Sequence, residues 1–358
     1  MKINGQVIGE AERPYIIAEL SANHNGSLET ATRLIGMAKA GGADAVKLQT
    51  YTADTLTIDS DSEDFLIKSG LWKGKTLYEL YQQAHTPWDW HQRLFEEAAR
   101  VGITIFSSPF DTTAIELLER LGAPAYKIAS FEANDLELIA NAASTRKPLI
   151  ISTGLASRSD IGEAVEAALS AGASRNQLAL LHCLSAYPAP PEEYKLDTIP
   201  KLKQEFGLEV GLSDHTIGNE IAIGAVALGA RIIEKHFTED ITGGGPDDSF
   251  SMDFDGLGSL RKSIDSVWQG RGFDNYRVQP SEIASLKYRR SLYAVRDIAL
   301  GEKITLENVR SIRPGYGVAP KELGKLLGMS SPKSLLRGEP ITQGFVETCV
   351  LAAKDTNG

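Results

Sequence analysis

About eight apolar runs of strand length recur along the 358 residues, and they end again and again in Glu, Lys, Ser or His. YIIA leads to Glu19, AV to Lys47 and ITIFS to Ser108, while AYKIAS carries Lys127 and Ser130. Further on, PLIIS ends at Ser152, LALL at His182, VGLSDH at Ser213 and His215, and RIIEKH at Glu234 and His236. Each of the first seven runs leads into a stretch with helical spacing, and another follows the eighth. Such alternation builds a parallel sheet with helices outside it, and eight units close a (β/α)8 TIM barrel. The strand ends of that fold converge on one face, where active sites sit. The pattern therefore predicts an enzyme.

Strands are expected near 15–20, 44–49, 103–108, 125–130, 148–152, 178–183, 209–213 and 231–236. Helices are expected at 28–42, 86–102, 112–122, 136–144, 160–172, 195–207, 220–229 and 254–270. Thr86-Pro87 reads as a helix start, with Thr capping the free amides and Pro at the first helical position. From Tyr51 to about Tyr81 an acidic loop and LWKGKTLYELY break the rhythm, as a rim or lid inserted after strand two would. Residues 1–270 are thus expected to form the barrel and 271–289 a polar linker. Residues 290–350 should form a small domain of short strands with little helix, and 351–358 a disordered tail.

Formal charge is 37 − 47 = −10 and no Lys/Arg block interrupts it, so nucleic acid and anionic membranes are poor partners. Neither a signal peptide nor an apolar run of about 20 residues is seen, which favours a cytoplasmic location. Cys183 and Cys349 are expected as free thiols.

His215 and His236, at consecutive strand ends, are candidate ligands for a transition metal, or else hydrogen-bonding groups. Lys47 and Lys127 lie within apolar strand sequence, where an ammonium needs an anion. A salt bridge to Glu19 or Glu132 would supply one. A bound phosphate or carboxylate, helped by Ser130, Ser152 and Ser213, would also serve, and a Schiff-base aldolase would place a Lys there too. Glu19 and Glu234 should point into the barrel, and Glu132 sits where a general base could align a water. Asp247, in GGGPDDSFSMD, is expected on a flexible substrate loop.

HNG at 24–26, YKIAS at 126–130, STG at 152–154, GLSDHTIG at 211–218 and IEKHF at 233–237 together resemble the sialic acid synthases. These enzymes condense phosphoenolpyruvate with an open-chain acylamino sugar. RRSLYAVRDIALGEKIT followed by VRSIRPGYG looks like their small antifreeze-like (SAF-type) C-terminal domain. The resemblance implies a divalent metal, Mn or Mg, on His215 and His236. It assigns Lys47, Lys127, Ser130, Ser152, Ser185 and Ser213 to phosphoenolpyruvate. Glu19, Tyr187 and Asp247 fall on the sugar side, with Glu132 and Glu234 near the reacting centre. It also implies a domain-swapped homodimer in which Arg313 reaches the sugar in the partner's site. The lysines would then act as electrostatic clamps, and phosphate would leave by C–O cleavage.

Ser185-Ala186-Tyr187-Pro188 stands where N-acetylneuraminate enzymes have Asn-x-Tyr-Pro. Phe-Ser-Ser-Pro-Phe at 106–110, LWKGKTLYELYQQAHTPWDWH at 71–91 and PDDSFSMDFDG at 246–256 resemble the pseudaminic acid synthases more closely. The implied sugar is 2,4-diacetamido-2,4,6-trideoxy-L-altrose, with Phe250, Met252 or Phe254 as an apolar wall for its 6-methyl group. The competing expectations are N-acetylneuraminate or legionaminate synthesis, a divalent-metal isomerase, and a non-catalytic carbohydrate-binding or ice-binding protein.

Overall fold

A computed structural model describes residues 1–272 and 276–355, which divide into two compact units, Met1–Gly272 and Phe273–Gly358. In the first unit eight parallel strands close a barrel. They are β1 Tyr15–Glu19, β2 Ala45–Thr50, β3 Thr104–Pro109, β4 Tyr126–Ile128, β5 Leu149–Ser152, β6 Leu178–Cys183, β7 Glu209–Asp214 and β8 Ile232–His236. Strand neighbours follow chain order, and β8 closes the ring by pairing with both β7 and β1. Helices at Leu28–Gly41, His91–Val101, Thr112–Arg120, Leu136–Ser144, Arg158–Ser170, Thr198–Phe206, Glu220–Ala227 and Phe254–Gly270 follow the strands. Ser27, Asp111, Asp135, Ser157 and Asp253 cap five of them through the side-chain oxygen, as that chemistry requires.

Side-chain alternation along the strands divides the apolar residues into two sets. Ile16, Ala18, Val46, Leu48, Ile128 and Ile151 face outward and pack with helix residues such as Leu34, Leu94, Ile139 and Leu257. Tyr15, Ile17, Ala45, Phe106, Ile150, Leu181 and Ile232 fill the lower barrel. Ile3 and Ile8, in and beside a short hairpin of Lys2–Ile3 with Gln6–Val7, close it from below. The next inward positions up the same strands are Glu19 after Ile17, Lys47 after Ala45, Ser152 after Ile150 and Glu234 after Ile232. An apolar plug therefore supports a polar layer.

Thr86 does not cap a helix. The helix it was expected to start begins at His91, after a 3-10 turn at Trp88–Trp90, and the Thr86 hydroxyl is buried without a hydrogen-bond partner. His91 bonds through its ring to the Pro87 carbonyl and to Thr50 at the end of β2, which anchors the entry instead. The segment after β2 contains helices Ala53–Leu56 and Leu77–Ala84 with a 3-10 turn at Glu63–Phe65.

In the second unit β9 Ser291–Ala294 pairs antiparallel with β10 Val309–Ile312. Leu292, Ile298, Ile304, Val309, Leu335, Ile341 and Phe345 form its own core. The expected linker contains a 3-10 segment at Pro280–Tyr288, and part of it, 273–275, lies outside the described residues. The tail expected from 351 is helical to Asp355, because the apolar face of helix Gln343–Asp355 buries Phe345, Val346 and Cys349; residues 356–358 lie outside the described residues.

Candidate active site

The polar layer above the plug is a cluster of buried ions. Lys47 on β2 pairs with Glu19 on β1 and lies 3.8 Å from Glu234 on β8. Lys127 on β4 lies 3.1 Å from the other oxygen of Glu234, which also accepts from Ser213 at 3.1 Å. Lys47 donates to Ser108 at 3.1 Å. All four charged side chains are almost fully buried. Burial alone would raise the Glu234 pKa, but the charges of Lys127 and Lys47 outweigh it and hold that carboxyl well below the usual range. Burial dominates at Glu19, whose pKa is raised despite Lys47, with Glu234 adding repulsion. Burial would lower Lys127, but its carboxylate neighbours, Glu234 foremost, keep it raised and charged. Of the two salt bridges expected as alternatives to a bound anion, the one to Glu19 is present. Among the described residues Glu132 forms no ion pair.

Hydroxyls line this layer without being used up by it. Ser152 Oγ, at the end of β5, and Ser185 Oγ, just past β6, are buried without hydrogen-bond partners. Ser130 accepts from the Gly154 amide at 3.2 Å. A Cβ on Gly154 would come within 2.4 Å of Ser185 Oγ and 2.7 Å of Ser130 Oγ, so only glycine lets these three loops converge. Ser130 lies in a 3-10 turn at Ser130–Glu132 rather than in the strand expected to 130, and that turn leaves Glu132 within electrostatic reach of Lys127 and Lys47. Glu132 Oε2 is buried without a partner, and burial pushes the carboxyl up to about 7, against the lowering effect of Lys127.

One inward step above Glu234 and Ser213 lie the two imidazoles, their ring centroids 5.4 Å apart. His215 Nδ1 donates to the Leu184 carbonyl at 2.9 Å, which leaves Nε2 as the basic nitrogen. His236 Nδ1 lies 3.1 Å from Ser21 Oγ, and Ser21 donates in turn to Asp247 at 2.6 Å. Burial, with His215 and the lysines nearby, keeps His236 well below its ordinary pKa and therefore neutral. Burial would lower His215, but the hydrogen bond and charge of Cys183 outweigh it and raise its pKa. Two imidazoles, each oriented through its Nδ1, suit a divalent transition ion, which binds the neutral ring in place of a proton. Among the described residues no group of three or more His, Cys, Asp or Glu is placed to hold a metal. Two His donors would thus leave the remaining positions to water and substrate oxygens.

Tyr187 covers the pair, 4.4 Å from the His215 ring and 6.2 Å from His236. Phe250 packs 5.0 Å from His236 and 5.3 Å from Tyr187. Of the other two residues expected beside the sugar methyl, Met252 is buried in the strand–helix core and Phe254 is exposed at the start of its helix. Glu19, expected on the sugar side, belongs to the ion cluster. Arg313 is exposed in the second unit.

The loop carrying Asp247 is pinned rather than flexible. Asp248 accepts from Asn25 at 3.0 Å, Thr238 at 2.6 Å and the Gly245 amide at 2.8 Å. A Cβ on Gly245 would lie 1.8 Å from Asn25 Oδ1, so its glycine serves close packing.

A model of the NeuB family matches residues 34–276, and a model of the SAF domain matches 289–347. The chain belongs to the NeuB family. It is 44% identical over 333 residues to a pseudaminic acid synthase of Campylobacter jejuni, spanning 93% of this chain and 96% of that one. A pseudaminic acid synthase of Helicobacter pylori is 43% identical over 93% of this chain and 98% of its own. The crystal structure of an N-acetylneuraminic acid synthetase from Leptospira borgpetersenii superposes with a TM-score of 0.71 at 30% identity, covering 81% of this chain and 95% of that one.

Some site residues of this NeuB-family chain were not legible in its sequence. Ser21 follows β1 within an unremarkable SAN and yet links His236 to Asp247. Cys183 closes β6 against His215. Burial raises its pKa, but the hydrogen bond and charge of His215 outweigh that and lower it overall. The HC dipeptide at a strand end was the available signal.

Proposed function

We propose that this chain is a pseudaminic acid synthase, condensing phosphoenolpyruvate with 2,4-diacetamido-2,4,6-trideoxy-L-altrose and water to give pseudaminic acid and phosphate. The observation that carries the chemistry is a lysine-bearing layer with two buried, unpartnered serine hydroxyls one step beneath a facing pair of imidazoles. The sugar rests on the 43–44% identity to enzymes of that name over 93% of the chain.

Lys47 and Lys127 balance the phosphate and carboxylate of phosphoenolpyruvate, and Ser130, Ser152 and Ser185 supply hydroxyl donors, while Ser213, whose hydroxyl donates to Glu234, lines the same pocket and holds that carboxylate in place. Glu19 and Glu234 hold the lysines in place, and Glu234 keeps Lys127 charged. Carbon 3 of phosphoenolpyruvate attacks the sugar aldehyde, and cationic character develops at carbon 2. A divalent cation on His215 and His236, Mn or Mg, would polarise the aldehyde oxygen and lower the cost of the developing alkoxide. Glu132 takes a proton from the water that adds at carbon 2, which a carboxyl tuned to about 7 can do near neutrality. The tetrahedral centre then expels phosphate with C–O cleavage. Tyr187 and Asp247 border the sugar.

We further propose a domain-swapped homodimer in which the partner's small unit covers the barrel mouth and Arg313 reaches the sugar. The rim supports this reading: Phe131 after β4, Leu155 after β5 and Ile217 after β7 expose 59%, 75% and 70% of their surface. In the small unit Tyr316, three residues from Arg313, is 68% exposed. Exposed apolar side chains gathered at a functional face mark an interaction surface. Among the described residues no helix is long and apolar enough to cross a membrane, and we place the enzyme in the cytoplasm with its small, charged substrates.

The deciding experiment is phosphate release from phosphoenolpyruvate with Mn present, offering the diacetamido-trideoxy-altrose and N-acetylmannosamine in parallel. Strong preference for the altrose sugar supports the assignment; preference for N-acetylmannosamine overturns it. Solution mass alongside Arg313→Ala tests the dimer: an unchanged dimer with a raised KM for sugar supports the cross-subunit contact, and a monomeric mass refutes it.

A further inference from the structure

We propose that Trp72, on the segment inserted after β2, forms the outer wall of the sugar site and reads the sugar's sixth carbon, favouring methyl over hydroxymethyl. The inference rests on the proposed reaction and sharpens its specificity.

The aromatic groups around the site lie in a graded order. The imidazoles of His215 and His236 are innermost. Tyr187 and Phe250 pack directly on them, Tyr187 at 4.4 Å from His215 and Phe250 at 5.0 Å from His236. Trp72 lies outside these, its ring 5.8 Å from Tyr187 and tilted 49° to it. Its indole N–H donates to the Pro246 carbonyl at 3.0 Å, next in sequence to Asp247. The inserted segment is thereby tied to the loop that borders the sugar.

An open-chain sugar has only one orientation here. Its aldehyde must meet phosphoenolpyruvate beside the imidazoles, and the barrel below is filled by the Lys47, Lys127, Glu19 and Glu234 cluster and the apolar plug. The sixth carbon, at the opposite end of the chain, points up and out of the mouth. Phe250 sits at the aldehyde end, which removes it as the methyl wall. Trp72 is the aromatic face at the outer end, and its single N–H is already committed to Pro246, so the rest of the ring offers no hydrogen bond to a hydroxyl. A hydroxymethyl group there would lose water without replacement, while a methyl group would bury apolar surface.

The test compares kcat/KM for 2,4-diacetamido-2,4,6-trideoxy-L-altrose and for the same sugar bearing a 6-hydroxyl, in the wild type, W72A and W72F. A hydrophobic contact of this kind discriminates by about 10- to 100-fold. The wild type is expected to favour the 6-deoxy sugar within that range. W72A should lower the ratio about tenfold through a raised KM for the deoxy sugar, with the KM for phosphoenolpyruvate unchanged. W72F keeps an apolar face without the N–H and should keep most of the preference. An unchanged ratio in W72A overturns the wall and leaves the proposed reaction standing. A ratio that collapses equally in W72F assigns the effect to the lost bond to Pro246 and also overturns the wall. A wild type that turns over neither altrose sugar overturns the proposed reaction and this inference together.

Discussion

Asp214 and Lys235 meet at 2.9 Å behind the barrel wall, each one residue before one of the two histidines. They are register partners on β7 and β8, and strand alternation turns them outward while His215 and His236 turn in. Asp214 also accepts from the Thr216 amide at 2.9 Å and hydroxyl at 2.8 Å, and Lys235 donates to the Thr216 carbonyl at 2.5 Å. One buried ion pair therefore holds both strand ends and the turn that follows β7. Breaking such a pair from one side costs about 3–5 kcal/mol. Asp214→Asn should lose stability on that scale in urea denaturation and bind Mn more weakly in isothermal titration. A D214N/K235M double variant should recover most of the stability, since no buried charge is left unpaired.

Glu132 should set the acid limb of the pH profile. The base must be deprotonated, so kcat/KM for phosphate release should rise with pH through about 7 and level off above it. Glu132→Gln should abolish that limb and lower kcat by about 10²–10⁴. Stability should move the other way. A carboxyl raised from 4.5 to about 7 in the folded state binds its proton more readily there than when unfolded. Its contribution is complete below 4.5 and is lost as pH rises through 7. E132Q should therefore gain on wild type across that window, reaching at most about 3 kcal/mol above it, as thermal melts at pH 5 and pH 8 would register.

Lys127→Met separates support from binding. Alone it leaves Glu234 with only Ser213 and the more distant Lys47, and should cost several kcal/mol while raising the KM for phosphoenolpyruvate at least about tenfold. Combined with Glu234→Gln, stability should return and phosphoenolpyruvate binding should not. Recovery of both would refute the clamp role of Lys127.

Gly245→Ala tests whether the loop carrying Asp247 must be packed tightly. The added Cβ would meet Asn25 Oδ1 at 1.8 Å and Asp248 Oδ2 at 2.8 Å, so the loop must move. The KM for sugar should rise about tenfold or more, while the KM for phosphoenolpyruvate, assigned to the lysine layer beneath, stays put. A sugar KM within twofold of wild type would show that the loop tolerates displacement.

Periodicity along the chain determined most of the architecture. All eight barrel strands lie within two residues of their expected ends, because strand length, apolar runs and helix caps are local properties. The polar residue at each strand end was visible for the same reason, and the motifs around His215 and His236 were specific enough to name a family. Tertiary structure decided what those residues do to one another. No spacing rule says that Lys127 pairs with Glu234 rather than Glu132, that Ser21 bridges His236 and Asp247, or that Gly243 and Gly245 serve close packing rather than motion. The Lys127, Ser21 and Asn25 contacts among these join positions 100 or more residues apart, and their energies come from burial and from the order in which strands close the ring. Thr86 makes the same point locally: its sequence is a sound helix start, yet the ring of His91, held by Pro87 and by Thr50 on β2, fixed the helix entry elsewhere.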